Sequence, residues 1–235
     1  LTHISKLTKM KSILLDDDDD DVQPLFVKYA HPFANTILSP SSLTENRKSK
    51  KTIFYSGFHE LAYLHPKRFT PNIEVLNEIG LKKGDPFFII RFNVFKAHHD
   101  VGVLGMSLEQ KLKLVSVLKP HGKIFITTER NIEPELKRYQ LLVEPDKVHS
   151  LLFYATMFLG DSQTMTSEAA VLGTPAIRMN SFAGRIAYLE EEEHKYGLTY
   201  GFKPDEFKVM LEKIEHLLNN ISLKQEWEIK RQNLL

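Results

Sequence analysis

The sequence predicts an α/β fold built on parallel β-sheet, and two patterns carry the prediction. Short apolar runs bounded by turn signals recur from about residue 83 onward: PFFIIRFNV (86–94), GKIFITTE (122–129), TMFLGD (156–161) and TPAIRM (174–179). Continuous apolar runs of this length suit strands that are buried on both faces. Segments with helical spacing separate these runs, as in residues 107–120, where Leu108, Leu112, Val115 and Leu118 follow one another at three or four residues. Strands that alternate with helices imply right-handed crossovers and a Rossmann-like, doubly wound parallel sheet.

The remaining segments of this part fit the same alternation. They are predicted as a short helix at 133–137, a short strand at 139–143, a helix at 146–155, a helix starting near residue 162, a helix at 185–196, a final strand or loop at 197–202, and amphipathic helices at 204–220 and 223–235.

The first part of the chain is predicted to belong to another α/β unit. KSILLD (11–16) and NTILSP (35–40) are typical of strands, and PLFVKYAH (24–31) between them is typical of a helix. The charges and turn formers that follow indicate a connection between two units. We therefore predict the tail of a truncated N-terminal Rossmann-like domain at 1–60, an interdomain connection at 61–80 and a complete C-terminal domain at 81–235.

Composition and charge exclude several classes of function. The formal net charge of the 235 residues is +1, which gives no electrostatic reason to expect nucleic acid as a partner. The chain has no cysteine, so a cysteine nucleophile, a cysteine zinc site and disulfides are all excluded. No apolar run approaches the roughly 18 residues of a membrane helix, and no signal peptide is visible. These features lead us to expect a cytoplasmic protein.

Six consecutive aspartates, residues 16–21, follow the first predicted strand. Adjacent carboxylates in a flexible segment repel one another and do not converge on one ion, as a Mg²⁺ or Ca²⁺ site requires. The preferred interpretation is a solvated loop, although the carboxyl end of a strand is where sites form in α/β proteins.

The segment FLGDSQTMTSEAAVLGTPAI (158–177) combines a buried strand, a polar turn and a helix. A helix that starts near Ser162 or Gln163 leaves its first N–H groups unpaired at the carboxyl edge of the sheet, where they favour a phosphate. Thr164 adds a hydroxyl donor, and Glu168 is placed to accept hydrogen bonds from a ribose. The plain alternative is that Asp161 and Ser162 are N-cap residues and that the glutamate complements the helix dipole.

The same segment resembles the sugar-nucleotide segment of GT-B-fold proteins. It is similar to UDP-N-acetylglucosamine 2-epimerase in its Asp-Ser turn, its helical glutamate and its Leu-Gly-x-Pro step, and it also resembles the peptidoglycan N-acetylglucosaminyltransferase. The fuller resemblance is to an uncharacterised conserved GT-B-like family related to both, through YSGFHELAYLHPKRFTPN, IIRFNVFKAHHD and GDSQTMTSEAAVLGTP. One departure is clear: the epimerase has two glycines where Gln163 and Thr164 stand here, so side chains occupy space that backbone needs for close approach to phosphate.

The resemblance implies two Rossmann-like domains with a UDP-sugar substrate bound in the cleft, mainly on the second domain. It implies no covalently bound cofactor and no metal. The acceptor would be a glycan or a lipid-linked sugar, as in polysaccharide biosynthesis. The missing part of the first domain would supply the catalytic base and any peripheral membrane contact.

A second group of polar residues follows the strand at 86–94. Arg91, His98, His99 and Asp100 fall within ten residues, and AHHD is a loose counterpart of a His-Arg-Arg-Glu-Asn segment in the epimerase. A histidine beside an aspartate is suited to binding a diphosphate or to acid–base catalysis near neutral pH. A polar surface loop is the alternative, and the spacing matches no known metal motif.

Further residues are candidates for the cleft because of their position in the resembling fold. Arg185 is a candidate diphosphate partner and Arg178 a weaker one. The other cleft candidates are His59, Glu60, Thr128 and Glu129. Linker packing is an equal alternative for His59 and Glu60.

Three functions remain open at this point. The first is a metal-independent, nucleotide-sugar-dependent glycosyltransferase, in which donors at the helix start neutralise the leaving diphosphate. The second is a UDP-sugar 2-epimerase-like reaction, which would release a free epimer without an acceptor. The third is a non-catalytic protein that retains the fold.

Overall fold

The computed structural model of the protein describes residues 1–47, 49–92, 105–128 and 132–235. Within these ranges the strands form two parallel sheets. The first sheet has the order β1 (Ile13–Leu15), β2 (Thr36–Pro40), β3 (Thr52–Tyr55). The second has the order β5-β4-β6-β7-β8 and consists of β4 (Phe87–Phe92), β5 (Lys123–Thr128), β6 (Met157–Gly160), β7 (Ala176–Met179) and β8 (Thr199–Phe202).

Helices connect the strands of both sheets. They are α1 (Thr2–Thr8), α2 (Pro24–Tyr29), α3 (Leu61–Leu64), α4 (Val75–Glu78), α5 (Leu108–Leu118), α6 (Val148–Tyr154), α7 (Gln163–Leu172), α8 (Ala187–His194), α9 (Phe207–Leu218) and α10 (Leu223–Leu234). None of the helices in the described ranges is long and apolar enough to span a bilayer.

The core of the second sheet explains the continuous apolar runs of the sequence. Phe88 and Ile90 of β4 and Phe158 of β6 are fully buried, as strands covered on both faces require. Burial of each such side chain contributes about 1.5–3 kcal/mol. The helix after β4 begins with a capping box, in which Ser107 and Gln110 exchange side-chain and backbone hydrogen bonds.

The last helix, α10, packs against α7 beside the second sheet. Trp227 is buried and donates its indole N–H to the Leu198 carbonyl at 2.9 Å. Arg231 donates Nε–H to the Val171 carbonyl at 2.9 Å. Its side chain lies so close to Gly173, which caps α7 at φ 81°, that a Cβ there would stand 2.6 Å from Arg231 Cδ. Glycine at this position therefore allows both the left-handed cap and the approach of α10.

The predicted fold class, α/β with a doubly wound parallel sheet, is confirmed, and so is a strand at 199–202. Two details of the prediction are wrong. Residues 139–143 do not form a strand; Gln140 makes only an isolated bridge to Ile126, after a 3-10 helix at Pro134–Tyr139. The strand β3 was not predicted, because its four residues lie among charges and turn formers that indicate a connection.

Candidate functional site

Polar residues collect at the carboxyl edge of the second sheet, where three neighbouring strands end. Arg91 pairs in register with Gly160 of β6 and with Thr127 of β5, and Phe92 pairs with Thr128. The Arg91 guanidinium donates a hydrogen bond to the Thr127 hydroxyl at 2.9 Å. This edge is where open parallel sheets bind ligands.

The turn after β6 is held tightly by its backbone. Gly160 has φ +152°, and a Cβ there would stand 2.1 Å from the Arg91 carbonyl oxygen, so only glycine fits. Asp161 is buried; its N–H donates to the Arg91 carbonyl at 3.1 Å and its carbonyl accepts from the Asn180 amide at 2.8 Å. These bonds fix the position at which the next helix begins.

The start of α7 offers donors at this edge. Ser162 is the N-cap, and its hydroxyl oxygen accepts from the Met165 N–H at 3.4 Å, so the hydroxyl proton remains available for donation. Within the described ranges no hydrogen bond involves the backbone N–H groups of Gln163 and Thr164. Thr164 is exposed and Gln163 is half-buried. The helix start thus presents two N–H groups and two hydroxyls to an anion.

Glu168 lies in the second turn of α7 and is held by two donors. Its Oε1 accepts from the Tyr63 hydroxyl at 3.0 Å and from His149 Nε2 at 2.9 Å. A carboxylate only accepts, so His149 carries its proton on Nε2. Tyr63 comes from α3 and His149 from α6, and α3 also packs against α7. Glu168 of α7 is therefore held by side chains from the two helices α3 and α6.

Two further carboxyl groups are buried beside Glu168. Glu60, the residue before α3, is 3% exposed, and burial raises its pKa to about 7, with Asp17 and Glu168 adding to the rise. Glu192 of α8 is fully buried, and burial together with Glu60 holds its pKa well above the usual range. The Ser167 hydroxyl lies within reach of Glu60 and donates to Glu192 Oε1 at 2.5 Å. Through the Ser167 hydroxyl of α7, the carboxyl groups of Glu60 and Glu192 link the start of α3 to α7 and α8.

The aspartate run is an ordered part of the seam between the two sheets, so the prediction of a solvated loop is wrong. Asp16 and Asp19 are both 4% exposed. The Asp16 carboxylate contacts His31 Nε2 at 2.6 Å and the Arg47 guanidinium at 3.0 Å. The guanidinium of Arg47 also reaches Asp20 Oδ1 at 2.9 Å and the carbonyls of Asp16 and Asp18. The aspartate run is therefore ordered by ion pairs and hydrogen bonds to one buried arginine, Arg47.

Asp19 links the run to the second sheet. Its Oδ2 accepts from the N–H of Ala187, the first residue of α8, at 2.8 Å, and its Oδ1 accepts from the Asn46 amide at 2.8 Å. The carboxylate satisfies an N–H at a helix start, and α8 packs against the turn Ser41–Leu43 after β2. The carboxyl ends of the two sheets therefore meet through this contact.

We expect Asp19→Ala to lower the free energy of unfolding by about 1–2 kcal/mol, because the Ala187 and Asn46 donors lose their buried acceptor. Asp21→Ala is the matched control: Asp21 is exposed, and its one ion pair within the described ranges is with the exposed Arg185, so a change near zero is expected. Urea unfolding of both variants measures the difference, and equal stabilities would show that the Asp19 contact contributes nothing.

Arg185 and the acidic run also bear on the diphosphate and metal predictions. Arg185 is half-exposed, 3.1 Å from Asp21 Oδ2, and lies over the Phe182 ring. Among the described residues, oxygens of Asp16, Asp17 and Asp18 lie within 4.8 Å of one another. The Arg47 guanidinium already pairs with the Asp16 carboxylate of this cluster, and neighbouring acidic groups are common without an ion, so the cluster does not by itself indicate a cation site.

The other predicted residues are placed as follows. Arg178 is fully buried and pairs with Glu190 of α8 at 2.9 Å, so it supports α8, and its contact with a diphosphate stays a prediction. His59 Nδ1 lies 4.0 Å from the Asp17 carboxylate. The remaining predicted residues lie outside the described ranges: His98, His99, Asp100 and Glu129.

No protein-family model and no curated sequence matches the chain significantly. Comparison with solved structures, in contrast, finds proteins with a similar fold. The Methanocaldococcus jannaschii UDP-GlcNAc 2-epimerase in complex with UDP-GlcNAc and UDP is 14% identical with a TM-score of 0.61, over 99% of this chain and 71% of that one. S. aureus MnaA with UDP is 13% identical with a TM-score of 0.58, over 96% and 64%. The spinosyn forosaminyltransferase SpnP is 14% identical with a TM-score of 0.58, over 99% and 68%.

The fold is GT-B-like. Glycosyltransferases and epimerases both occur among these structures, and identities of 14% or less show the fold alone. The chain spans between 55% and 71% of the length of the solved structures it matches.

Sequence reasoning missed the contacts of three residues that organise the site. His149 sits inside an apolar helical segment, Tyr63 lies among turn formers, and Arg47 lies among other cations. Each is defined by a partner that is distant in sequence, so no local spacing indicates its contact. The one available signal was the pair of polar residues His149 and Ser150 near the start of the predicted helix at 146–155.

Proposed function

We propose that the protein is a nucleotide-sugar-dependent enzyme of the GT-B type, by preference a metal-independent glycosyltransferase. The observation that carries the proposal is the start of α7. The N–H groups of Gln163 and Thr164 lie at the carboxyl edge of β6 and have no partner among the described residues, and a glutamate follows in the second turn. A diphosphate needs donors and a ribose needs an acceptor, and this helix offers both in that order.

Each residue has a proposed role in donor binding. The N–H groups of Gln163 and Thr164, with the Ser162 hydroxyl, bind the diphosphate and stabilise the charge that develops on it as the sugar departs. Glu168 accepts from the ribose hydroxyls. Arg91, Asp161 and Thr128 lie at the same edge and complete the site.

Further roles are proposed for residues around the diphosphate and ribose contacts. His98, His99 and Asp100 act as acid, base or diphosphate ligands, and Arg185 joins the diphosphate after leaving Asp21. His59, Glu60 and Glu129 line the cleft. The proposed domain division is 1–60, 61–80 and 81–235.

The proposed donor is a UDP-sugar, since UDP or UDP-GlcNAc is bound in two of the similar structures. The proposed acceptor is a glycan or lipid-linked sugar, and the proposed location is the cytoplasm. No role for nucleic acid is proposed.

A second candidate is a UDP-sugar 2-epimerase-like reaction. The Asp161-Ser162 turn, Glu168 and the step from Leu172 to Pro175 favour it, whereas the side chains of Gln163 and Thr164 in place of glycines count against it. Incubation with UDP-GlcNAc alone separates the two reactions, because an epimerase converts the sugar without an acceptor and a glycosyltransferase needs one. Binding of UDP without either product would indicate a non-catalytic protein.

Calorimetric titration with UDP and UDP-GlcNAc tests the site. We expect the wild type to bind and Glu168→Ala to bind about 1–3 kcal/mol more weakly, because hydrogen bonds to the ribose are lost. Glu135→Ala is the control, since Glu135 is exposed in the 3-10 helix Pro134–Tyr139 and is not among the residues proposed to bind the nucleotide. Failure of the folded wild type to bind either ligand would overturn the proposed function.

A further inference from the structure

The Glu168 carboxylate is held by two donors from different helices. Tyr63 of α3 and His149 of α6 donate to its Oε1 at 3.0 and 2.9 Å, and the two donor rings contact each other with centroids 5.7 Å apart. Phe69 packs its ring edge-to-face on His149, with centroids 6.1 Å apart and an interplanar angle of 85°. Only 11% of the Glu168 side chain is exposed. The two donors are therefore themselves braced by aromatic packing.

Both hydrogen bonds go to the same carboxylate oxygen, Oε1, and neither goes to Oε2. A carboxylate oxygen has two acceptor positions, and both positions of Oε1 are taken. Within the described ranges no donor reaches Oε2. Any ligand hydroxyl that binds Glu168 must therefore use Oε2.

We propose that Tyr63 and His149 are positioning residues that hold the Glu168 carboxylate in one orientation, so that Oε2 accepts hydrogen bonds from the ribose hydroxyls of the donor nucleotide. This inference rests on the proposed function. A free glutamate loses side-chain freedom when it binds a ligand, at a cost of about 0.5–1.5 kcal/mol, and two fixed donors remove most of that cost beforehand.

The chemistry of the two donors suits this role. Burial raises the pKa of the Tyr63 hydroxyl, and the charges of Glu168 and Glu60 raise it further, so Tyr63 remains a donor throughout the neutral range. His149 Nε2 also faces the carboxylate as a donor.

The test compares UDP with 2′,3′-dideoxy-UDP, which lacks both ribose hydroxyls. We expect Tyr63→Phe and His149→Leu each to weaken UDP binding about three- to tenfold and to leave binding of the dideoxy nucleotide unchanged. His149→Gln, whose amide donates near the position of Nε2, is expected to recover most of the UDP affinity. In the Glu168→Ala background, Tyr63→Phe is expected to have no further effect.

Tyr154→Phe is the matched control. It also removes one hydroxyl from a half-buried tyrosine, but that hydroxyl bonds to the Pro71 carbonyl at 3.4 Å and does not touch Glu168. Its affinity for both nucleotides should equal that of the wild type. Unfolding curves of all variants confirm that each is folded at the titration temperature.

The outcomes separate the two proposals. If the folded wild type does not bind UDP, the proposed function fails and this inference fails with it. If the wild type binds and Glu168→Ala weakens binding, but Tyr63→Phe and His149→Leu bind UDP normally or weaken both nucleotides equally, only the positioning role is overturned.

Discussion

Arg47→Met is expected to lower the free energy of unfolding by about 3–5 kcal/mol, because it leaves a buried carboxylate without its cation. Arg47 is 2% exposed, and its guanidinium pairs with Asp16 at 3.0 Å and with Asp20 at 2.9 Å. It also donates to the Ser39 hydroxyl and to two backbone carbonyls of the aspartate run. Methionine fills much of the volume but offers no donor. Urea unfolding at pH 7 measures the loss.

Two further variants isolate the charge effect. Arg68→Met is the matched control, since Arg68 is exposed and its side chain forms no hydrogen bond within the described ranges; a change within about 0.5 kcal/mol is expected. Adding Asp16→Asn to Arg47→Met is expected to recover part of the loss, because it removes the unpaired charge. A double variant less stable than Arg47→Met would show that the Asp16 carboxylate still stabilises the fold without Arg47, through its contact with His31.

The elements with strong periodicity were predictable, and the weak ones were not. The runs at 86–94 and 156–161 contain β4 and β6, because their apolar residues are nearly continuous and only Arg91 interrupts β4, close to its carboxyl end. The segment at 139–143 has the composition of a strand, but it follows a 3-10 helix and forms only an isolated bridge to β5 within the described ranges, between Gln140 and Ile126, with the Leu141 N–H donating to the Ile126 carbonyl at 2.8 Å. Conversely, Thr52–Tyr55 forms β3 because β2 offers a parallel partner, which no local pattern reveals.

The candidate site likewise has a part that local sequence predicts and a part that depends on residues distant in sequence. The donors at the start of α7 follow from local sequence, since the strand, the turn and the helix are adjacent. The surroundings of Glu168 do not, because Tyr63 lies 105 residues away and His149 lies 19 residues away. The aspartate run was misread for this reason: like charges repel in a solvated chain, but Arg47, 31 residues beyond Asp16, draws them into an ordered turn.

The buried carboxyl of Glu60 gives a second large expected effect, on the pH dependence of stability. Its pKa rises from 4.5 to about 7 on folding, so the folded state binds its proton more tightly than the unfolded chain. Stability contributed by this group therefore falls as pH rises from about 4.5 to about 7 and is constant above that. The difference corresponds to about 3 kcal/mol at about 1.4 kcal/mol per pKa unit.

Glu60→Gln keeps the shape of the protonated carboxyl and cannot ionise, so we expect it to be about 2–3 kcal/mol more stable than the wild type at pH 8 and nearly equal to it at pH 4.5. Glu135→Gln, at an exposed site, should follow the wild type at both pH values. A slope remains in Glu60→Gln because Glu192 titrates with the same sign, and the carboxyls are coupled through their charges. Equal pH slopes for Glu60→Gln and the wild type would show that Glu60 ionises in the folded protein without cost.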